Sequence, residues 1–139
     1  MGENTPHHQP FVVRDYECDM QGVVNNAIYQ NYLEHSRHEF LKTQGLDFAE
    51  LSRRKVNLVV VRAELDYRRP LVSGDRFEVQ TQMERISKLR FAFRQQIRRL
   101  PDQTLMLDAL VIGTVLDERM RPCRPDFLPL PAMQPPVDN

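Results

Sequence analysis

The sequence has no excess of charge of either sign and no long hydrophobic run. Its 19 Lys and Arg residues are balanced by 19 Asp and Glu residues, so the formal net charge is zero. Binding of nucleic acid in general depends on a basic excess that neutralises phosphates, so we expect no nucleic-acid partner. No apolar stretch reaches the roughly 20 residues that span a bilayer, so we expect no membrane insertion.

Cysteine is also scarce. The two cysteines, Cys18 and Cys123, stand far apart and form no C-x-x-C spacing. We therefore expect neither a disulfide framework nor a cysteine-based zinc site. The first residues do not show the basic-then-apolar pattern of a secretory signal. We therefore predict a reducing, cytoplasmic location, with no bound metal or cofactor.

The two ends of the chain differ in composition from its middle. Residues 1–10 are polar and contain two prolines, so they are predicted to form a flexible arm. Residues 121–139 are rich in proline, which lacks an amide donor and fixes φ, so they are predicted to form an extended tail. Residues 11–120 are left as one domain, and the apolar content of 41% suits a globular core.

A long amphipathic helix is predicted from Val24 to about Gln44. The segment has no proline or glycine, and it spaces apolar residues three and four apart, at Tyr29, Tyr32, Leu33 and Phe40. Gly45 follows, where a positive φ can end the helix. Asp47, with Glu50 three residues later, predicts the start of a short second helix.

Strands are predicted before and after these helices. Residues 11–17 form a short segment that is rich in residues favoured in strands. Four further runs follow: "NLVVVRAELDYRRP", "DRFEVQTQMERI", "RFAFRQQIRRL" and "LMLDALVIGTVLD". Short turns separate the last three, so an antiparallel meander is predicted from about Arg76 to Asp117. One long helix packed on a mostly antiparallel sheet of five strands makes an α+β domain.

One helix on one sheet is a thin core, and the run "NLVVVRAEL" predicts an apolar edge strand. A bare edge of this kind is a template for pairing with another chain. Joining two sheets edge to edge would cover it. We therefore predict a homodimer or a homotetramer.

The segment "RDYECDMQGVVNNAIYQNYLEHSR" has the features of a reactive site. Asp19 precedes Gly22, which lets the backbone approach a ligand closely, and the helix begins a few residues later. The free amides at a helix start can hold an anion or a developing oxyanion, and a nearby carboxylate can act as base or nucleophile. On spacing alone, the simpler alternative is favoured: Asp19 or Asn25 caps the helix and Gly22 makes the turn.

Two further carboxylates, Asp15 and Glu17, precede Asp19 at intervals of two. An unbroken strand would aim all three at one face, where they could bind Mg²⁺ or serve glycoside hydrolysis. Such a row is more often a solvated edge, and no further ligand group follows it. Cys18 would point to the opposite face, and His35 and His38 are interpreted as surface or interface residues.

The same segment resembles the N-terminal motif of the hotdog-fold acyl-CoA thioesterases of the 4-hydroxybenzoyl-CoA thioesterase type. The matching residues are Asp19, Gly22, Val23, Val24, Ala27 and Tyr29. The run "LDYRRPLVSGDRFEV" is similar to the family's second and third strands at Tyr67, Pro70, Gly74 and Asp75. The resemblance extends over about residues 11–117 and implies a hotdog fold, in which the sheet wraps one long central helix.

The resemblance also implies roles. Asp19 would attack an acyl-CoA thioester or activate water against it, and the backbone amide of Asn26 would bind the oxyanion. Many family members carry Tyr-His where this chain has Asn25 and Asn26, and the "VNNA.Y" form resembles the branch of long-chain and related acyl-CoA thioesterases. The Asn25 side chain could still donate to the substrate, so activity is expected with a different substrate class.

Coenzyme A carries phosphates, which Lys and Arg side chains bind. The candidates are Arg68, Arg69, Ser87, Lys88 and Arg90, and the resemblance favours the turn "SKLR" as the nucleotide contact. These could equally be ordinary surface residues. Tyr29 could line the acyl pocket, although aromatic residues on a helix face more often belong to the core.

Two alternatives stay open on the sequence, and a third is set aside. The substrate could be carried by acyl carrier protein instead of coenzyme A. The chain could be a non-catalytic acyl-CoA-binding protein, which would have no need of the Asp19 carboxylate. Hotdog dehydratases use a His and Asp arrangement that this sequence lacks.

Overall fold

The computed structural model describes residues 6–46 and 48–125. In chain order, the elements are β1 (His7–Val12), a 3-10 helix (Asp15–Glu17), α1 (Asn26–Thr43), α2 (Phe48–Arg53), β2 (Asn57–Tyr67), β3 (Arg76–Arg85), β4 (Arg90–Leu100), β5 (Thr104–Leu116) and β6 (Pro122–Cys123). The predicted class, one long helix with a mostly antiparallel sheet, is confirmed.

The sheet has the strand order β1-β3-β4-β5-β2, with the short β6 paired to β5. Every pairing is antiparallel. Strands β3, β4 and β5 form the predicted meander, because short turns leave consecutive strands side by side. Strand β2 lies at one edge and β1 at the other, so β2 is the edge strand that the sequence predicted.

Helix α1 packs on one face of the sheet through the row of side chains that the sequence predicted to be buried. Its buried side chains are Tyr29, Tyr32, Leu33, Ser36, Phe40 and Leu41. The first half of the helix shares a core cluster with Phe77 and Leu107, and the second half shares another with Met83 and Phe91. Within the described residues, no helix is long and apolar enough to cross a membrane.

Gly45 ends the helix as predicted. It follows Gln44, the C-cap of α1, and has a φ of +83°, and the Leu46 amide then donates to the Leu41 carbonyl over 3.0 Å. These bonds satisfy carbonyls that the end of a helix otherwise leaves unpaired. Asp47, the predicted cap of the second helix, lies outside the described residues.

The N-terminal prediction needs correction in two respects. Residues 7–10 are not an arm, because β1 begins at His7 and pairs with β3 through His7 opposite Thr81. Strand β1 is an edge strand, so it can include Pro10, which has no amide to donate. The strand also ends at Val12 rather than Glu17, because the chain turns into the 3-10 helix, where the Arg14 amide donates to the Glu17 carboxylate.

The C-terminal prediction is partly corrected as well. Pro122 and Cys123 lie within the predicted tail but form β6, with Cys123 opposite Val115 of β5. Cys123 packs against the core cluster at the second half of α1. Residues 1–5 and 126–139, which include half of the predicted arm and most of the tail, lie outside the described residues.

Candidate functional site

Asp19 lies in a tight loop that leads from the 3-10 helix to α1. Its amide donates to the Val23 carbonyl over 2.8 Å, and the Gly22 amide donates to the Asp19 carbonyl over 3.0 Å. Gly22 has a φ of +82°, a conformation that strains other residues, so glycine is required by this turn. The shape of the loop is therefore fixed by its own backbone.

The two oxygens of the Asp19 carboxylate have different surroundings. Oδ1 accepts from the Gln21 amide at 2.9 Å and lies 3.4 Å from the Val23 amide nitrogen. Oδ2 has no hydrogen-bond partner among the described residues, and the residue is exposed. One oxygen thus holds the turn, and the other is available to a substrate or to water.

Asn25, and not Asp19, caps helix α1. The Asn25 side-chain oxygen accepts from the Ala27 amide at 2.9 Å, and the Asn25 amide donates to the Glu17 carbonyl at 3.0 Å. Capping uses the side-chain oxygen alone, so the side-chain amide group keeps its two N–H donors. Of the two sequence alternatives for the cap, the structure selects Asn25.

The Asn26 amide opens the helix. Among the described residues, this N–H donates to no acceptor, and Asn26 is exposed. The amide stands at the positive end of an 18-residue helix. A free donor in this position is suited to binding an oxyanion.

A cleft of about 160 Å³ lies beside the helix start. It is lined by Val23, Val24, Asn26, Tyr29, Tyr67, Arg68, Arg69 and Pro70. The structure therefore brings together four of the predicted site residues, namely Asn26, Tyr29, Arg68 and Arg69. Asp19 and Gly22 lie in the loop that leads into Val23, next to this cleft in the chain.

Tyr29 connects the two walls of the cleft. Its hydroxyl accepts from the Leu71 amide at 3.0 Å, and the Leu71 carbonyl accepts from the Val24 amide at 2.9 Å. Burial raises the pKa of the Tyr29 hydroxyl. The ring belongs to the core and also contacts Tyr67, with centroids 5.4 Å apart. Tyr29 thus belongs to the core and also lines this cleft; that it contacts an acyl group stays a prediction.

Arg68 and Arg69 are held at the cleft by their backbone, since both amides donate to the Met106 carbonyl at 2.9 and 3.2 Å. The Arg68 guanidinium lies 3.9 Å from the Asp66 carboxylate. Arg69 forms no ion pair within the described residues. Both side chains are exposed, so their charge is available at the rim.

Ser87, Lys88 and Arg90 lie elsewhere in the chain. Their turn joins β3 to β4, and the strand ends beside it, at Met83 and Phe91, pack against the second half of α1. Helix α1 is about 27 Å long at 1.5 Å per residue. Within one chain, this turn is therefore at the opposite end of the helix from Asn26. The Arg90 amide donates to the Ser87 hydroxyl at 3.1 Å, and both basic side chains are exposed.

The remaining candidates do not form a second reactive centre. The three carboxylates do not line one strand face, because Asp15 and Glu17 lie in the 3-10 helix. No cluster of three or more metal-ligating side chains occurs in residues 6–46 and 48–125. Burial raises the pKa of the Cys18 thiol, and the carboxylates of Asp15 and Asp19 raise it further, which makes this thiol a poor nucleophile.

Sequence reasoning missed the residues that hold the site from a distance. The Tyr29–Leu71 bond joins positions 42 residues apart, and the Tyr32 hydroxyl donates to Glu17 at 2.8 Å across 15 residues. Periodicity assigned both tyrosines to the buried helix face but did not identify their partners. The signal that was present is chemical: a buried tyrosine hydroxyl needs a hydrogen-bond partner.

Comparison with known proteins identifies the family. Residues 13–136 match the thioesterase-like superfamily, and the chain belongs to it. Over 118 residues it is 42% identical to the acyl-acyl carrier protein thioesterase ATL2, chloroplastic, of Arabidopsis thaliana. That alignment covers 85% of this chain and 63% of ATL2, so the chain spans less than two thirds of that relative.

A second relative is covered over more of its length. The chain is 30% identical over 105 residues to the long-chain acyl-CoA thioesterase FadM of Escherichia coli, covering 76% of this chain and 79% of FadM. Among solved structures, a 1,4-dihydroxy-2-naphthoyl-CoA thioesterase from Synechocystis superposes with a TM-score of 0.81 at 19% identity, over 86% of this chain and 89% of that one. The superposition confirms the predicted hotdog fold.

Proposed function

We propose that the protein hydrolyses acyl thioesters, with the Asp19 carboxylate and the Asn26 amide as the reacting and stabilising groups. One observation carries this proposal: a carboxylate oxygen without a partner and an amide without a partner flank the short segment that enters α1. The first can attack or activate water, and the second can stabilise the negative charge that develops on the carbonyl oxygen.

Two routes fit this arrangement. In the first, an Asp19 oxygen attacks the thioester carbonyl, the C–S bond breaks, and the thiolate leaves and takes up a proton. The resulting anhydride then reacts with water to release the acid and regenerate the carboxylate. In the second, Asp19 removes a proton from water as the water attacks, and that proton passes to the leaving thiolate. Both routes use Oδ2 and leave Oδ1 in the turn.

The acyl group is proposed to be carried on coenzyme A. This fits the resemblance to the "VNNA.Y" branch of the 4-hydroxybenzoyl-CoA thioesterase type and the similarity to FadM, a long-chain acyl-CoA thioesterase. Acyl carrier protein is the second candidate, and the 42% identity to ATL2 favours it. Both carriers present the thioester on the same phosphopantetheine arm, so the reacting groups would be the same.

Basic residues are proposed to bind the phosphates of the carrier. Arg68 and Arg69 stand at the rim of the cleft, while Lys88 and Arg90 lie near the far end of α1. The two pairs cannot serve one short cleft within a single chain. If the "SKLR" turn contacts the nucleotide, a second copy of the chain has to bring it to the cleft.

The unpaired edge of the sheet is a further reason to propose that a second copy of the chain is bound. Strand β2 exposes its outer side over 11 residues, and Val60 and Val61 are 52% and 45% exposed. Pairing β2 with the β2 of another copy would satisfy the unpaired edge and cover these valines. The assembly proposed is a homodimer or a homotetramer built from such dimers.

The test is a hydrolysis screen that reads release of free thiol. Matched acyl groups of several lengths would be offered on coenzyme A, on acyl carrier protein and on pantetheine. The proposal expects turnover on at least one carrier, and the preferred carrier distinguishes the two candidates. Binding of acyl-CoA without hydrolysis on any carrier would contradict it and favour the non-catalytic acyl-CoA-binding protein.

A further inference from the structure

Glu17 makes three hydrogen bonds that tie separate parts of the site together. Its carboxylate Oε1 accepts from the Tyr32 hydroxyl at 2.8 Å and from the Arg14 amide at 2.9 Å. Its backbone carbonyl accepts from the amide of Asn25, the cap of α1, at 3.0 Å. One residue therefore connects the exit of β1, the second turn of α1 and the start of that helix.

Tyr32 is a rigid donor for this contact. It is 4% exposed, and its ring packs against Phe11 and Phe77 with centroids 5.2 and 4.8 Å away. Burial, followed by the bond to Glu17, raises the pKa of the Tyr32 hydroxyl far above its ordinary value. The hydroxyl therefore stays protonated and donates to the carboxylate, and bonds to a charged acceptor are the stronger kind.

We propose that Glu17 and Tyr32 form a positioning pair, which holds the Asp19 loop in register with the start of α1. Glu17 is two residues before Asp19. Its backbone carbonyl accepts from the amide of Asn25, the residue that precedes Asn26. The pair acts through these neighbours and does not touch the substrate. The inference rests on the proposed thioester hydrolysis. It adds that this pair fixes the position of the Asp19 carboxylate relative to the Asn26 amide, the proposed oxyanion donor.

The geometric requirement is strict, because small displacements of reacting groups cost large factors in rate. The Asp19 loop is exposed. Apart from Glu17 and the bonds within the loop, it is tied to residues 71–72 through the Val24–Leu71 bond and the bridge between Val23 and Val72, and the Ser73 hydroxyl donates to Asp15 in the preceding 3-10 helix. Losing the tie to Tyr32 would leave the loop folded but free to shift against the helix. Turnover would fall, while binding of the carrier would change little.

The test uses Tyr32→Phe, which removes the hydroxyl and keeps the ring, together with Glu17→Ala and Glu17→Gln. Ser36→Ala is the matched control, because its buried hydroxyl donates to the Tyr32 carbonyl one turn along and does not reach the loop. We expect Tyr32→Phe and Glu17→Ala each to lower kcat about tenfold with KM within about twofold. Glu17→Gln keeps an oxygen acceptor and should recover most of the loss.

The double variant Tyr32→Phe, Glu17→Ala should cost little more than either single change, since both remove one shared bond. A purely structural role would give a different pattern: lower urea midpoints with kcat per folded molecule at the wild-type value. That pattern would overturn the inference, and so would additive losses in the double variant.

A second readout needs no substrate. Hydrogen exchange at the Asp19 and Asn25 amides, which donate to Val23 and Glu17, reports how firmly the loop is held. We expect faster exchange at both amides in Tyr32→Phe and unchanged exchange in Ser36→Ala. Unchanged exchange in Tyr32→Phe would overturn the inference. If the wild-type protein hydrolysed no thioester, the proposed function would fail, while the exchange result would still decide whether the pair holds the loop.

Discussion

Asp19 and Val23 contact each other in both directions across the loop that precedes α1. The Asp19 amide donates to the Val23 carbonyl at 2.8 Å, and the Val23 amide nitrogen lies 3.4 Å from Asp19 Oδ1. The turn therefore uses one oxygen of the carboxylate, and the reactive role that we propose for Asp19 needs only the other. Oδ1 closes the turn, and Oδ2 is directed to neither backbone amide.

The first prediction concerns packing at Gly113 of β5. A Cβ atom there would lie 2.8 Å from Cζ of Phe91 and 2.8 Å from the Val59 carbonyl oxygen. Neither neighbour can move freely, because both belong to strands paired with β5. Gly113→Ala should lower the free energy of unfolding by about 1 to 3 kcal/mol in a urea titration. Ala63→Ser, at an exposed site on β2, is the control and should change it little.

The second prediction is a pH dependence at the β4–β5 turn. The Arg99 guanidinium donates to Asp102 at 2.7 Å, and Thr104 donates to it as well, so the pKa of the Asp102 carboxyl is far below its usual value. The ionised Asp102 carboxylate should stabilise the fold fully at pH values above the ordinary aspartate pKa. This stabilisation should disappear as the pH falls towards the lowered pKa that Asp102 has in the folded protein.

Asp102→Asn lacks this ionisation. The difference in urea midpoint between wild type and Asp102→Asn should therefore be largest near neutral pH and should shrink steadily below about pH 4. A difference that stayed constant from pH 7 to pH 2 would show that the ion pair has no part in stability.

The third prediction tests the "SKLR" turn. Lys88→Ala with Arg90→Ala should raise KM for acyl-CoA about fivefold or more and leave kcat nearly unchanged, because phosphate contacts are made equally in the ground and transition states. Arg119→Ala with Arg121→Ala, on the exposed turn before β6, is the control.

The same two double variants should be compared on an acyl-pantetheine, which lacks the nucleotide phosphates. There the Lys88 and Arg90 changes should have no effect on KM. An equal rise in KM on this shorter substrate would mean that these residues do not bind the phosphates.

The fourth prediction concerns assembly through β2. The wild-type protein should sediment as a dimer or larger at micromolar concentration. Val60→Lys with Val61→Lys places two charges at the exposed edge and should shift the protein towards monomer. Val12→Lys, at an exposed residue of β1 on the opposite edge of the sheet, should leave the assembly unchanged. A wild-type monomer would refute edge-to-edge pairing.

The parts of the fold that follow from local pattern were predictable. Tyr29, Tyr32, Leu33 and Phe40 marked the buried face of α1, and Gly45 marked its end. The alternation in β3 and β4 and the short turns between strands gave the meander. These features depend on neighbours in sequence, which is the information that periodicity carries.

The start of β1 was not predictable in the same way. Residues 7–10 contain two histidines and a proline and show no alternation, and they are ordered by pairing with β3, about 70 residues away. The 3-10 helix is a similar case, since the Glu17 side chain closes it and Tyr32 holds it. Long-range contacts of this kind leave no periodic trace in the sequence.

The candidate site also contains two groups of residues: those that are close in sequence and those that only the fold brings together. Asp19, Gly22, Asn25 and Asn26 are close in sequence, and their types alone indicated a turn, a cap and a free amide. Leu71 and Tyr67 join the site only through the fold. Arg68 and Arg69 were named for their charge, and their position at the cleft comes from the pairing of β2 with β5.

The central claim is that Asp19 is reactive through the oxygen that the turn does not use. Asp19→Asn keeps an oxygen that can accept from the Gln21 and Val23 amides, so the loop should stay folded. Asp19→Ala removes that acceptor and should cost about 1 kcal/mol of stability, which makes it the control for the turn.

The most direct measurement is the rate of thioester hydrolysis by purified Asp19→Asn, with its urea midpoint determined on the same preparation. We expect a loss of turnover on the order of a hundredfold or more with a urea midpoint close to that of the wild type. Normal turnover with an intact fold would contradict it, because Asp19 would then be only a turn residue.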